Sequence, residues 1–236
     1  MCGRYTITLD WDELVLRFML DQQPGNYKPR YNAAPGQMIP AIISGVGRGA
    51  DGSTYAPANR LGELRWGLVP AWAQDDRGGA RMINARSETA AEKPAFRQLL
   101  ARKRCLIPAD GFYEWERRGK SKQPIRFVLR SGEPFAMAAL YDTWVRPDGT
   151  KLHTCSIMTT EPNSVVARVH DRMPVILTRD HEERWLDRRL QSTSELLPML
   201  KPYAAEELDF YEVDSGVGKV SWDEPGCIER IESLPG

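Results

Sequence analysis

The sequence predicts a single compact α+β domain, built on a curved, barrel-like and mostly antiparallel β-sheet with short peripheral helices. Its 236 residues are 42% hydrophobic, which is enough for one sizeable core without a division into separate domains. Short strand patterns and a few helix patterns are mixed along the chain, and turn residues occur throughout. We assign residues 1–224 to this domain and residues 225–236, which contain two prolines, to a loosely packed C-terminal tail.

Two helices and one loop are predicted in the first part of the chain. Asp10 is expected to cap a helix, because Glu13 stands three residues later and apolar residues follow at helical spacing. Residues 44–62 are rich in glycine and predict a hairpin loop; no phosphate-binding helix pattern follows, so no cofactor is assigned. Pro94 is expected to start a helix whose last turn is capped by the basic residues 102–104.

Strand patterns dominate from Cys105 onward, and they predict the curved sheet. The predicted strands are residues 105–107, 112–116, 125–129, 135–145 and 152–159, with the clearest turn at 146–150. Residues 163–169 predict a short helix and residues 173–178 another strand. Asp180 is expected to cap a helix that runs through Trp185.

Composition limits the classes of function. The chain carries 32 basic and 32 acidic residues, so an anionic partner must meet a local basic patch rather than a basic protein. No apolar stretch is long enough for a membrane span and no signal peptide pattern opens the chain, which predicts a cytoplasmic protein. The four cysteines, Cys2, Cys105, Cys155 and Cys227, include no Cys-x-x-Cys pair, so we expect them to be reduced and to bind no metal.

Cys2 directly follows Met1, so removal of one residue would leave a cysteine at the N-terminus. Such a residue carries an amine and a thiol on adjacent carbons, with pKa values of about 7.7 to 8.0 and about 8.5. The amine can form an imine with an aldehyde, and the thiolate can then close on the imine carbon to give a five-membered thiazolidine. The alternative interpretation is that Cys2 is only a small buried residue.

Five further strings place polar residues in apolar surroundings, where an unpaired polar group costs roughly 1 to 3 kcal/mol. Their polar residues are therefore candidates for function. The strings are Arg30-Tyr31-Asn32-Ala33-Ala34-Pro35, Arg65-Trp66-Gly67-Leu68-Val69-Pro70-Ala71-Trp72, Asn84-Ala85-Arg86-Ser87-Glu88-Thr89, Ala109-Asp110-Gly111-Phe112-Tyr113-Glu114-Trp115 and His170-Asp171-Arg172-Met173-Pro174.

Together with the opening Met1-Cys2-Gly3-Arg4-Tyr5, these ordered strings resemble the SOS response-associated peptidase (SRAP) family, abasic-site processing proteins that crosslink to single-stranded DNA. The resemblance covers nearly the whole chain. It implies that a mature N-terminal cysteine forms a thiazolidine with the ring-opened aldehyde of an abasic deoxyribose and shields the lesion from strand cleavage in the DNA damage response. It also implies Schiff-base or lyase-type chemistry without a cofactor or metal, in a monomer that associates with the nucleoid when bound to damaged DNA.

The resemblance carries four catalytic roles onto matching positions. Cys2 would be the nucleophile, and Glu114 the acid or base of sugar ring opening and Schiff-base chemistry. Aromatic residues flank Glu114, and desolvation by them would raise the pKa of its carboxyl group toward neutrality. His170 would transfer protons at the imine and hydroxyl groups. Asn84 would hold the open sugar by hydrogen bonds.

Five further residues match positions that contact DNA in the family. Arg4 and Arg86 would grip the phosphates beside the lesion, although either could instead pair with a carboxylate, which for Arg86 could be Glu88. The indoles of Trp66 and Trp72 would offer surfaces on which unstacked bases rest, with core packing as the alternative for Trp66. Thr160 would supply a hydroxyl contact.

Three other classes of function remain open at this point. An N-terminal Cys-Gly also opens glutamine amidotransferase domains, but those continue with an apolar run, whereas Arg4-Tyr5-Thr6 follows here. A thiol peptidase, acting on other proteins or only in removing Met1, is a second alternative. A noncatalytic DNA-binding module is a third, and both the zero net charge and the reactive N-terminus argue against it.

Overall fold

The computed structural model describes residues 2–21, 27–48 and 54–231, and thirteen strands occur among them. The strands are β1 (Tyr5–Ile7), β2 (Arg30–Ala33), β3 (Met38–Arg48), β4 (Thr54–Trp66), β5 (Asn84–Arg86), β6 (Arg104–Ala109), β7 (Gly111–Arg118), β8 (Ser121–Leu129), β9 (Phe135–Val145), β10 (Lys151–Thr160), β11 (Met173–Pro174), β12 (Ile176–Leu177) and β13 (Leu208–Glu212).

Short helices lie between these strands. The α-helices in the described residues are α1 (Trp11–Phe18), α2 (Ser87–Ala90), α3 (Arg97–Arg102), α4 (Arg179–Leu186) and α5 (Thr193–Leu196). Single 3₁₀ turns are Arg77–Arg81, Val166–Arg168, Leu197–Met199, Ala205–Glu207, Ser215–Gly218 and Pro225–Ile228. No helix in this part of the chain is long and apolar enough to cross a membrane.

Five strands close into a barrel. β10 pairs with β4, β4 with β3, β3 with β6 and β6 with β9, and β9 pairs back with β10. Of these pairings only β4 with β10 is parallel. Closure leaves no free edge around the ring, and its strands contribute the buried Ile42, Leu106, Leu140 and Ile157 to the main core. The predicted α+β fold on a barrel-like, mostly antiparallel sheet is confirmed.

A second, antiparallel sheet has the strand order β13, β8, β7, β1, β2. β1 is short, and Tyr5 is opposite Phe112 of β7 on one side and Ala33 of β2 on the other. Side chains alternate along β7, so Phe112 faces the main core while Tyr113 faces a smaller cluster on the other side of the sheet. The N-terminal segment before β1 is therefore held next to β7.

A buried network fixes β1 in this sheet. Thr6 and Thr8 donate short hydrogen bonds to the Asp110 carboxylate, and Arg126 donates to Asp110 Oδ1 at 3.2 Å and to Thr6 Oγ1 at 2.9 Å. Gly111 allows the guanidinium to approach, because a Cβ at this position would lie 2.7 Å from Arg126 Nε. The network joins β1 to β8 and to the turn before β7.

The helices predicted at Asp10, Pro94 and Asp180 are present, with different boundaries in two cases, whereas residues 163–169 contain only the 3₁₀ turn Val166–Arg168. Asp10 caps α1 in a capping box with Glu13, as predicted. α3 begins at Arg97 rather than at Pro94. The N-cap of α4 is Thr178, and Asp180 instead lies in its first turn. A carboxylate in the first turn favours the helix through its dipole as well as a cap does, which is why the two positions are hard to separate from sequence.

The glycine-rich segment is mostly strand rather than loop. Residues 44–48 continue β3 and residues 54–62 belong to β4, and the two strands pair from Met38 opposite Arg65 to Arg48 opposite Thr54. Residues 49–53 of the predicted loop lie outside the described residues. The hairpin is therefore longer than expected, because pairing with a long partner strand outweighs the weak strand propensity of glycine.

Residues 225–231 do not form the loosely packed part of a tail that the sequence predicts. Cys227 is fully buried, and its carbonyl accepts a hydrogen bond from the Tyr113 hydroxyl at 3.1 Å. The Ile231 amide donates to Glu212 O of β13 at 3.1 Å. Proline content suggested an irregular segment, but irregular backbone packs well when its carbonyls find fixed donors.

Arg104 is a buried cation that closes the end of α3. Its guanidinium donates to five carbonyl oxygens at 2.6 to 2.9 Å, those of Leu100, Ala101, Trp185, Asp187 and Leu190. Burial lowers the pKa of Arg104 to about 10, so the side chain remains charged at neutral pH. The predicted capping role of this basic run is met by one residue, which also anchors the segment after α4.

Replacing Arg104 with methionine should lower the free energy of unfolding by about 3 kcal/mol or more, because several buried carbonyls lose their donor together. Urea denaturation of the two proteins measures the difference. The exposed neighbour Arg102 is the matched control, and Arg102→Met should change stability by no more than about 0.5 kcal/mol. Equal effects of the two substitutions would contradict the assigned role of Arg104.

Candidate active site

Cys2, Glu114 and His170 lie close together where the segment before β1 runs beside β7, the central strand of the second sheet. Cys2 has no exposed surface and Glu114 is 2% exposed. The Tyr113 amide donates to Arg4 O at 3.0 Å, which holds the N-terminal segment against β7. His170 approaches from the loop after the 3₁₀ turn Val166–Arg168, and its Nε2 lies 3.8 Å from Glu114 Oε2.

Burial sets the protonation of the two acidic groups. It raises the pKa of Glu114 to about 7, so the carboxyl group is partly protonated at neutral pH. The pKa of the Cys2 thiol is raised by burial and further by the Glu114 carboxylate. The direction predicted for Glu114 is confirmed, but strand alternation turns Tyr113 and Trp115 away from it, so the fold rather than these two flanking residues removes the water.

His170 is held in an orientation that directs one ring nitrogen toward Glu114. Its Nδ1 lies 3.0 Å from the Arg172 amide nitrogen and 3.3 Å from Arg172 O, so the Arg172 backbone holds the ring in either neutral tautomer. Burial lowers the pKa of His170, which favours the neutral ring. Asp171 Oδ1 lies 3.1 Å from the same Nδ1 and stabilises the protonated ring when a proton arrives. The pair can therefore pass a proton between imidazole and carboxyl.

Asn84 lies on β5, which pairs in parallel with β10. Asn84 lies opposite Ile157 and Arg86 opposite Thr159. The Asn84 side chain donates to Ile83 O at 3.1 Å, while its buried Oδ1 accepts no hydrogen bond from any described residue. An acceptor held in this way remains available to a hydroxyl of a ligand, as the predicted sugar-binding role requires.

Sequence reasoning gave no role to Arg172, which joins two of the motifs. Its guanidinium binds the Glu88 carboxylate in bidentate fashion at 2.8 and 2.9 Å and donates to Thr159 O at 2.8 Å. Glu88 is therefore held by Arg172, whereas Arg86 is exposed. Arg172 and Glu88 both stand in the polar strings, which is the sequence signal that could have pointed to them. Their pairing could not be predicted, because they lie 84 residues apart.

Trp66 and Trp72 belong to one string but differ in exposure. Trp66 is fully buried, its Nε1 donates to Ile83 O at 2.9 Å, and its ring contacts Tyr5 edge-on. No base can reach it, so the predicted stacking role of Trp66 is wrong and the core alternative holds. Trp72 is 70% exposed, which leaves its indole free to meet a base.

Hydrogen bonds fix the backbone of the loop that contains Trp72, on both sides of this residue. The Ala71 amide donates to Asp142 Oδ2 at 2.8 Å, and Ala73 O accepts from Trp144 Nε1 at 2.7 Å. Gly67 begins the loop with φ +133°, and a Cβ there would lie 2.8 Å from Gly79 O. The backbone on both sides of Trp72 is therefore fixed, so little backbone entropy is lost when its indole binds.

The structure turns the Arg4 side chain away from Glu114, whereas the hydroxyl contact of Thr160 stays a prediction. The Arg4 guanidinium binds groups of the protein on the other face of the second sheet, including Asn32 Oδ1 at 2.9 Å. Thr160 is nearly buried at the end of β10, and alternation separates it from Thr159, which contacts Arg172. Among the described residues, no group of three His, Cys, Asp or Glu side chains is placed to hold a metal ion.

The raised pKa of Glu114 predicts a pH dependence of stability. Its pKa rises from 4.5 to about 7 on folding, so its contribution is complete below pH 4.5 and is lost as the pH rises through 7, by ~3 kcal/mol at most. His170 has a lowered pKa and contributes with the opposite sign. Unfolding of wild type and Glu114→Gln between pH 4.5 and 7.5 isolates the carboxyl: the wild type should lose more stability across this range. Parallel profiles would contradict the assignment.

Fold and site together define a β-barrel protein whose N-terminal segment carries a buried cysteine beside a carboxyl and imidazole pair. The family model described as SOS response associated peptidase (SRAP) matches residues 1–220. The chain belongs to the SRAP family.

Two relatives and one solved structure are similar to this chain along nearly its whole length. The abasic site processing protein YoaM of Bacillus subtilis (strain 168) is 50% identical over 218 residues, covering 91% of this chain and 92% of that protein. The abasic site processing protein YoqW of the same organism is 47% identical over 232 residues, covering 97% and 99%. A crystal structure of a protein from Bacteroides thetaiotaomicron matches with a TM-score of 0.83 at 27% identity, covering 98% of this chain and 100% of that one.

Proposed function

We propose that this protein recognises abasic sites in single-stranded DNA and traps them as a covalent thiazolidine through Cys2, after Met1 has been removed. The observation that carries the proposal is the placement of Cys2 beside Glu114, whose pKa of about 7 lies where an acid and base catalyst works best. Relatives named abasic site processing proteins, YoaM and YoqW, support the choice of substrate. The trapped lesion would be shielded from cleavage in the DNA damage response.

The reaction starts with the abasic deoxyribose in its closed ring form. Protonated Glu114 gives its proton to the ring oxygen while His170 accepts the proton of the anomeric hydroxyl, and the ring opens to an aldehyde. The amine of Cys2 adds to the aldehyde carbon, and the resulting carbinolamine loses its hydroxyl as water when an acid protonates it. An imine remains. Asn84 Oδ1, which accepts no hydrogen bond from a described residue, would accept one from a hydroxyl of the open sugar.

The second bond comes from the thiol. The Cys2 sulfur attacks the imine carbon, the C=N electron pair moves to nitrogen, and the proton lost by the thiol is returned there. The five-membered ring that results contains the former aldehyde carbon, both nucleophilic atoms and the two carbons between them. Because burial and the Glu114 carboxylate raise the pKa of the thiol, the sulfur needs a base close by to lose its proton, and Glu114 in its ionised form can serve.

DNA contacts beside the lesion would come from exposed side chains. Trp72 offers a stacking surface for an unpaired base, worth roughly 1 to 3 kcal/mol, and exposed Arg86 offers a cation to a phosphate next to Asn84. We include in the proposal that the protein acts as a monomer in the cytoplasm and meets the nucleoid when it binds damaged DNA. The peptidase reaction that the proposal requires is the removal of Met1, which this protein or another enzyme would perform.

The test combines two measurements on the purified protein. Intact mass shows whether Met1 is absent. The protein is then incubated with single-stranded DNA that carries one abasic site, with the tetrahydrofuran analogue, which has no aldehyde, as the control. We expect a heat-stable adduct with the abasic strand alone, mapped by mass spectrometry to the peptide that begins at Cys2. Processed protein that forms no adduct, or an adduct on a lysine, would overturn the proposal.

A further inference from the structure

The Arg4 side chain lies behind the sheet, as seen from Glu114. Its guanidinium carbon is 5.9 Å from the centroid of the Trp115 ring, and Trp115 packs with Tyr113 in the smaller hydrophobic cluster. Glu114 stands between these two residues on β7 and faces the other way, because side chains alternate along a strand. Arg4 therefore does not point toward the lesion-binding side of the sheet.

The guanidinium of Arg4 is occupied by groups of the protein. Nη1 donates to Asn32 Oδ1 at 2.9 Å and to Val217 O at 2.6 Å, and Nη2 donates to Gly218 O at 3.1 Å. Burial lowers the pKa of Arg4. These acceptors are neutral and two are backbone atoms, so the geometry suits a structural anchor rather than a cation held ready for phosphate.

The acceptors belong to a segment that we call the C-terminal strap, residues 213–228. Asn32 fastens it, since its Nδ2 donates to Val217 O, Lys219 O and Trp222 O at 2.7 to 3.1 Å. Asp223 fastens it from the other direction, because its Oδ1 accepts the amide hydrogens of Tyr31 and Asn32. The strap thus holds β2 and the residue two positions after Cys2.

We propose that Arg4 is a positioning residue, which locks the N-terminal segment to the C-terminal strap so that Cys2 is held against Glu114, and that it is not a phosphate ligand. The inference rests on the proposed function, because it concerns the rate of the same reaction. Cys2 lies outside β1, with Gly3 between it and Arg4, so the strand alone does not fix it. A misplacement of about 1 Å at a reacting group can slow a reaction on the order of 10²-fold.

The experiment separates DNA binding from the covalent step. Binding of intact single-stranded DNA is measured at several salt concentrations, and the rate of adduct formation is measured with the abasic strand fully bound. The variants are Arg4→Met, Arg4→Lys and Asp223→Ala, with Arg86→Met as the matched control. Arg4→Lys keeps the positive charge but cannot make the three hydrogen bonds, and Asp223→Ala loosens the strap without removing a cation.

If Arg4 positions Cys2, all three of its test variants should form adduct on the order of 10- to 100-fold more slowly when DNA is saturating. Their salt dependence of binding should match the wild type. Arg86→Met should instead flatten the slope of log affinity against log salt by about 0.7, as expected for one lost phosphate contact on a single strand.

Two results would overturn this inference while leaving the proposed function intact. In one, Arg4→Met flattens the salt slope as Arg86→Met does, and Arg4→Lys forms adduct at the wild-type rate. In the other, Asp223→Ala forms adduct normally although thermal unfolding shows that the strap has loosened. If the wild-type protein itself forms no adduct, the proposed function fails, and this outcome is seen before any variant is compared.

Discussion

Changing Cys2 to alanine should abolish the heat-stable adduct with abasic single-stranded DNA. The variant keeps its N-terminal amine, so it can still form an imine with the aldehyde, but it has no sulfur to close the ring. Imines hydrolyse in water, whereas in the thiazolidine the former aldehyde carbon is saturated and is bonded separately to nitrogen and to sulfur within a ring. We therefore expect a product that appears only when borohydride reduces the imine, and none after heating without reductant.

The matched control is another buried cysteine. Cys105 is as fully buried as Cys2 and lies in the barrel on β6, away from Glu114. Cys105→Ala should lower stability and leave the adduct intact, which separates the chemistry of a thiol from the loss of a buried side chain. A Cys2→Ala protein that gives full, heat-stable adduct would refute the thiazolidine mechanism.

Changing Glu114 to glutamine should slow adduct formation on the order of 10²- to 10⁴-fold, the contribution typical of a general acid or base. Glutamine has nearly the same shape, but it cannot give a proton to the ring oxygen or take one from the thiol. Affinity for intact single-stranded DNA should stay near the wild-type value. The comparison requires two assays at one pH near 7, one for the rate with saturating abasic DNA and one for binding.

The pH profile of the rate adds a second criterion. With the pKa of Glu114 at about 7, the wild-type rate should change in slope near neutral pH, and the change should vanish in Glu114→Gln. His170→Gln serves as a companion variant, because it removes the proton partner 3.8 Å away but leaves the carboxyl. An equal loss of DNA binding and rate in Glu114→Gln would mark the residue as structural.

Local signals were sufficient for several elements of the fold. The α1 helix could be predicted because Asp10 and Glu13 form a capping box, whose hydrogen bonds involve residues three positions apart. β9 could be placed at residues 135–145 because a long run of strand-forming residues ends at a clear turn. The length of the β3 and β4 hairpin could not be predicted, since its glycines favour a loop and only the partner strand favours pairing.

The candidate site shows the same division. Cys2 could be selected from its place directly after Met1, and Asn84, Glu114 and His170 from the resemblance of their polar strings to the SRAP family. The sequence could not show how deeply each of these side chains is buried or which way it points. Trp66 and Trp72 stand six residues apart in one string, yet one lies in the core and the other is 70% exposed.

The sequence by itself determined the α+β class, the strand-rich second half, the family and the chemistry available at Cys2, because these depend on local patterns and on residue identity. Tertiary structure alone decided that β9 closes the barrel on β10, that Glu114 becomes a carboxyl with a pKa of about 7, and that Arg4 turns away from the site. These features depend on groups distant in sequence: Arg4 meets Val217 213 residues later, and the desolvation of Glu114 exists only after the sheet has packed. No local pattern encodes such contacts, since a side chain's partners and its exclusion from water are properties of the folded chain.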